Sequence, residues 1–150
     1  MTKNSGRCLC GAVKFTVSDF TADFGACHCK MCQRWAGSAL LAFAAPARSV
    51  TFEGLKNVAT RQTSDWAERA WCAVCGSSIW YRRKARGENG DGDGADYHIP
   101  VGLLDDTSAI RLRRQIFIDQ KPDGFSFSQD TENKTTAEVQ HRFGPVNGGG

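Results

Sequence analysis

The chain has 150 residues, 41% of them hydrophobic and 23% charged, with a formal net charge of +3. That length suits one compact domain, and that composition excludes a disordered polymer or a coiled coil. No apolar run approaches the ~20 residues of a membrane span. The start, Met1 to Arg7, lacks the apolar stretch of a secretory leader, so a cytoplasmic location is expected.

Sixteen glycines against four prolines point to many tight turns and a β-rich chain. In chain order, Val13-Lys-Phe-Thr-Val17 alternates at period two and predicts a strand. Lys30 to Ala36 predicts a short helix. Leu40 to Ala44 and Val50 to Phe52 predict two strands separated by a turn near Pro46. Val58 to Arg61, Glu68 to Trp71 and Ser78 to Tyr81 follow, the last two forming a hairpin. Tyr97 to Val101 and Gln115 to Ile118 complete the sheet, with Pro100 marking an edge or a bulge. Gly87 to Gly94 reads as a solvated hairpin loop. Asp91 and Asp93 within it and Asp96 just beyond lack the terminal glutamate of a calcium loop. Residues 1–135 are expected to form one domain, and 136–150 a polar, glycine-rich tail.

The seven cysteines are clustered rather than scattered: Cys8-Leu-Cys10-Gly11, Cys27-His-Cys29-Lys-Met-Cys32 and Cys72-Ala-Val-Cys75-Gly76. In a reducing compartment such clusters are metal ligands more often than disulfides. Zinc takes thiolates, and seven of them (−7) with two zinc ions (+4) contribute −3, which cancels the formal +3. The basic excess that nucleic-acid binding requires is thereby removed, so no nucleic-acid partner is expected.

Cys8, Cys10, Cys72 and Cys75 supply two tight bends, each followed by a glycine able to take a positive φ. Four thiolates from distant segments make a closed structural zinc. Cys27, Cys29 and Cys32 offer three ligands and leave a fourth position open, the pattern of a reactive zinc. Three other readings stand beside it: closure by His28 or His98, metal-free thiols, and an oxidation sensor that releases its metal. His28 suits a hydrogen-bonding or surface role, and His141 a solvated one. An open three-thiolate zinc suits capture of a soft exogenous thiol better than activation of water. A captured thiolate beside a carbonyl compound is placed to make or break a carbon–sulfur bond. Lys30 and Arg34, four apart on the short helix, are candidates to hold the carboxylates of an anionic thiol, against a plain reading as surface charge. The rival function is a non-catalytic zinc module that binds a protein or nucleic acid through Arg82, Arg83, Lys84 and Arg86.

The three clusters in this order resemble the glutathione-dependent formaldehyde-activating enzyme family, also called the centromere protein V domain family. The matching stretches are Cys8 to Phe15, Cys27 to Arg34, Cys72 to Ser78, Gly102 to Asp106 and Gln115 to Pro122. The resemblance covers roughly residues 5 to 128. It implies a mainly β fold, a β-tent of two antiparallel layers similar to that of methionine-R-sulfoxide reductases. It also implies structural zinc at Cys8, Cys10, Cys72 and Cys75, and a second zinc at Cys27, Cys29 and Cys32, where glutathione binds. The implied reaction is reversible formation of S-hydroxymethylglutathione from formaldehyde and glutathione. After Lys121-Pro122 the family often carries a tryptophan, whereas Asp123-Gly-Phe125 stands here.

Overall fold

The computed structural model describes residues 2–83 and 95–143. Lys84, Arg86, the loop Gly87 to Gly94 and the last residues of the expected tail lie outside them. The architecture is mainly β, with strands in two sheets, as the sequence predicts. The described strands are β1 (Thr2–Arg7), β2 (Lys14–Phe20), β3 (Asp23–Cys27), β4 (Leu40–Ala45), β5 (Val50–Glu53), β6 (Val58–Ser64), β7 (Ala67–Cys72), β8 (Ser78–Arg83), β9 (Tyr97–Pro100), β10 (Arg111–Ile116) and β11 (Glu132–Lys134). Two helices, α1 (Lys30–Ala36) and α2 (Thr136–Phe143), complete the set. Among the described residues, no helix is long and apolar enough to cross a membrane. The chain divides into two compact units, Met1–Ala22 with Phe43–Ala109, and Asp23–Ala42 with Ile110–Gly150.

In the first unit, β2 pairs antiparallel with both β1 and β5. Phe15 and Val17 on β2 are buried while Lys14 is exposed, the alternation that the period-two pattern predicts. The antiparallel run β6-β7-β8-β9 forms the other ladder. Phe52 from β5 lies 4.9 Å from the Trp80 ring and 5.2 Å from Tyr97, and Phe15 contacts Phe43 and Phe52. Such aromatic pairs each add about 0.5–1.5 kcal/mol beyond the area they bury. Pro100 ends β9 and opens the tight turn Val101–Leu103, so its missing N–H falls where the ladder stops.

The second unit has a mixed ladder. β3 runs antiparallel to β4, while β10 runs parallel to both β3 and β11. Its core is Ala26, Ala39 and Leu112, covered by Phe24, Leu41 and Phe127. The strand predicted at Gln115 to Ile118 is displaced toward the N-terminus and ends at Ile116. The cause is Phe117, whose φ of 54° is left-handed and stops strand pairing. Part of the expected polar tail is helical. Thr135 and Glu138 cap α2 reciprocally, and Val139 anchors it by burial.

Candidate metal centres

Cys8 and Cys10 sit on the bend between β1 and β2, and Cys72 and Cys75 on the bend between β7 and β8. Each bend closes on itself: the Gly11 amide donates to the Cys8 carbonyl at 3.1 Å, and the Gly76 amide to the Cys72 carbonyl at 2.8 Å. Gly11 and Gly76 have φ of 80° and 82°, a region in which a side chain would be strained. This conformation turns the next amides toward sulfur, so that Ala12 N–H donates to Cys10 Sγ at 3.4 Å and Val13 N–H to Cys8 Sγ at 3.3 Å. The four sulfurs all lie within 4.8 Å of one another. Cys10 Sγ stands 3.7 Å from Cys8 Sγ and 3.8 Å from Cys72 Sγ. A tetrahedron of ~2.3 Å zinc–sulfur bonds has edges of ~3.8 Å, so the donor set and its spacing fit zinc.

The surroundings of these thiols divide their acidities. The Ser77 hydroxyl, 3.2 Å from Cys75 Sγ, together with the Ser77 amide, draws Cys75 down to about 5. Burial works against ionisation of Cys8, but the Val13 amide and the Cys10 and Cys72 sulfurs outweigh it and lower the thiol. The Ala12 amide favours the Cys10 thiolate, yet desolvation and the neighbouring sulfurs prevail and raise it to about 11. A divalent ion removes that mutual repulsion, because its own charge is the largest in such a site.

The second group occupies one loop. Cys27 ends β3, Cys29 caps α1, and Cys32 lies in the first helical turn. Cys29 is extended (φ −60°, ψ 153°), and its Sγ accepts the Cys32 amide at 3.4 Å. The helix stops at Gly37, left-handed with φ 80°. The sulfurs of Cys27, Cys29 and Cys32 lie within 4.8 Å of one another, and among the described residues no histidine or carboxylate joins them. Contact with the Cys29 and Cys32 side chains, with burial and their charge added, holds the Cys27 thiol well above the ordinary range. Three convergent sulfurs of this kind could hold a metal ion.

His28 is fully buried rather than on the surface. The Gln115 amide donates to Thr131 Oγ1 at 3.0 Å, and its oxygen lies within hydrogen-bond distance of His28 Nε2, at 2.8 Å. Phe125 and Phe127 pack on the ring. His98, on β9, lies 5.5 Å from the Tyr81 ring of β8, tilted against it, and His141 is exposed on α2. Neither belongs to a sulfur group.

Two glutamines, to which sequence reasoning gave no role, fasten the loop. Gln33 Nε2 donates to the carbonyls of His28 at 2.6 Å and Gln120 at 3.0 Å. Gln120 Oε1 accepts the Lys30 amide at 3.1 Å, and its Nε2 donates to Thr136 Oγ1 at 2.8 Å. Asp119 Oδ1 accepts both the amide and the hydroxyl of Thr136. Amide side chains give no periodic signal; only their place in the Gln115 to Pro122 segment hinted at them. Lys30 and Arg34 are both exposed, one turn apart on α1. In the basic run, Arg82 lies 4.4 Å over Tyr97 and donates to the Ala95 carbonyl, while Arg83 lies 5.4 Å over Trp66.

Comparison with known proteins gives concordant findings. The family model for glutathione-dependent formaldehyde-activating enzyme matches residues 3–120. A Schizosaccharomyces pombe protein named as an uncharacterized lyase is 30% identical over 139 residues, 93% of this chain and 96% of its own length. The crystal structure of a Rhodobacter sphaeroides protein, a structural-genomics target, is 25% identical, covers 67% of this chain and 87% of its own, and superposes with a TM-score of 0.50.

Proposed function

Because the chain belongs to the glutathione-dependent formaldehyde-activating enzyme family, we propose that it is a zinc-dependent carbon–sulfur lyase. It joins a small thiol such as glutathione to a small carbonyl compound such as formaldehyde, and reverses that union. The observation that carries the reading is the convergence of Cys27, Cys29 and Cys32, which supply three ligands where a closed site needs four. The relative's name, a lyase, agrees with it.

In this reading Cys8, Cys10, Cys72 and Cys75 hold a structural zinc, and Cys27, Cys29 and Cys32 hold the reactive one. Zinc at three thiolates supplies a soft Lewis acid that favours the thiolate form of an added thiol. The thiol gives its proton to water, its sulfur bonds to the carbonyl carbon, the π pair moves to oxygen, and that oxygen takes a proton back from water. The reverse cleaves the same bond and returns the proton. The chain orients these partners. The capped start of α1 fixes Cys29 and Cys32, the Gln33 and Gln120 bonds fix the loop, and Lys30 and Arg34 offer two cations for substrate carboxylates. A cytoplasmic setting, where thiols stay reduced, fits both groups.

The test is exchange between formaldehyde and S-hydroxymethylglutathione, followed by carbon-13 NMR, with zinc content measured on the same sample. The expected result is two zinc ions per chain and exchange faster than in buffer. Cys29→Ser should keep one zinc and lose the acceleration. Two zinc ions with exchange no faster than the uncatalysed rate would overturn the reading.

A further inference from the structure

His28 stands in the chain between two of the three convergent sulfurs, yet it does not join their group. Side chains along an extended stretch leave on alternate sides. Cys27 ends β3 and Cys29 is extended, so the two flanking sulfurs share one side and the imidazole takes the other. On that other side residue 28 is held three times. Its amide donates to the Ile116 carbonyl of β10 at 3.1 Å, and its carbonyl accepts from Gln33 of α1 at 2.6 Å. Its Nε2 lies 2.8 Å from Gln115 Oε1. Gln115 is itself buried, and its amide donates to Thr131 Oγ1 at 3.0 Å, so the group that meets the imidazole is fixed in turn.

Packing alone does not require a histidine here. The ring is 0% exposed, and the Phe125 and Phe127 rings lie 6.3 and 6.1 Å from it, tilted against it. Its Nδ1 is buried with no hydrogen-bond partner among the described residues, a cost that a phenyl ring would not carry. What imidazole supplies and phenyl does not is the bond to Gln115. The two backbone bonds hold the segment against its neighbours, and the side-chain bond sets its rotation about its own axis. That rotation decides whether Cys27 and Cys29 turn their sulfurs toward Cys32.

We propose that His28, through its bond to Gln115, is a positioning residue that sets the facing of Cys27 and Cys29 and with it the metal affinity of the three-sulfur group. The inference rests on the reading that these sulfurs hold a metal ion, and adds how the chain presets them for it. The test is metal titration of the full-length protein in four forms: unmodified, His28→Phe, Gln115→Leu and the double variant. Zinc is measured against a competing chelator, and cobalt(II) by the absorption of its thiolate complex. The second ion is identified as the one that Cys29→Ser loses. Each single substitution strands a buried polar partner and should melt earlier, whereas the double replaces both by apolar groups of similar shape and should melt close to the unmodified protein. All three variants should bind the second ion about ten- to a hundredfold more weakly, as for other lost partners behind metal ligands, and should hold the first ion unchanged. The double should be no weaker than the weaker single, because the two groups act through one bond. A role in packing alone would instead restore affinity together with stability in the double. A second ion held by the double as tightly as by the unmodified protein, or single effects that add, would overturn this inference alone. A double variant that unfolds would assign the pair to the fold and overturn it likewise. An unmodified protein that takes up only one ion would overturn the metal reading, and this inference with it.

Discussion

The two cysteine groups use the same donor atom and differ in how the chain brings it to hand. The four-sulfur group joins two bends far apart in sequence: Cys10 and Cys72, 3.8 Å apart, are 62 residues apart along the chain. Each bend is set by a left-handed glycine and by amides aimed at sulfur. The three-sulfur group lies between residues 27 and 32, on one loop, held from outside by Gln33 and Gln120. Cross-linking a long segment removes about 4 kcal/mol of unfolded-chain entropy, whereas linking neighbours on one turn removes little. On the proposed reading, metal in the first group would stabilise the fold, and metal in the second would be free to serve chemistry.

The largest effect that tests this contrast is expected at Cys72→Ser. With the long-range link gone, the protein should lose on the order of 5 kcal/mol of stability, as metal binding is folding energy in such sites. Denaturant unfolding with and without added zinc measures it. Stability equal to that of the unmodified protein would erase the distinction. Next comes Cys29→Ser, which should lower exchange activity by about a hundredfold or more through loss of a ligand and its metal. Its unfolding free energy should fall by less than about 2 kcal/mol, because the rest of the cap is local. A larger loss would make the second group structural too.

Lys30→Ala and Arg34→Ala sharpen the contrast from the substrate side. Each should raise KM for glutathione several-fold and leave kcat nearly unchanged, the mark of a contact made equally in ground and transition states. The smallest effect is expected at Asp119. Burial works against its charge, but the Thr136 amide and hydroxyl prevail and hold its carboxyl below the ordinary value of 3.8. Its contribution is thus fully present above that value and is lost as pH falls through the depressed one. Asp119→Asn should cost about 0.5–1 kcal/mol, as for other lost helix-start bonds. It should also flatten the acid limb of a stability–pH curve, and an unchanged limb would remove Asp119 from the support of the loop.

What was legible in the sequence follows from what each signal depends on. Spacing within a bend is local, so the cysteine groups, the glycines after them and the bounds of α1 could be read directly. The strands β1, β3 and β11 were missed because ladder bonds hold them, not an apolar alternation: β1 is Thr-Lys-Asn-Ser-Gly-Arg, and of these only Gly6 is buried. The apolar run Ile116-Phe-Ile118 misled in the opposite direction, since Phe117 leaves the strand by a left-handed turn that composition does not signal. The burial of His28 depends on Gln115, 87 residues away, and no local pattern could reveal it.

The parallel pairing of β3 with β10 sets an order on synthesis. Cys27, Cys29 and Cys32 leave the ribosome early, but the strand beside β3, the Gln115 partner of His28 and the Gln120 bond to α1 emerge about 90 residues later. Cys72 and Cys75 emerge well before that point, so on the proposed reading the four-sulfur group could load its ion during translation. On the proposed reading, the loop that would do the chemistry acquires its full scaffold only near the end of elongation, after the four-sulfur group is complete.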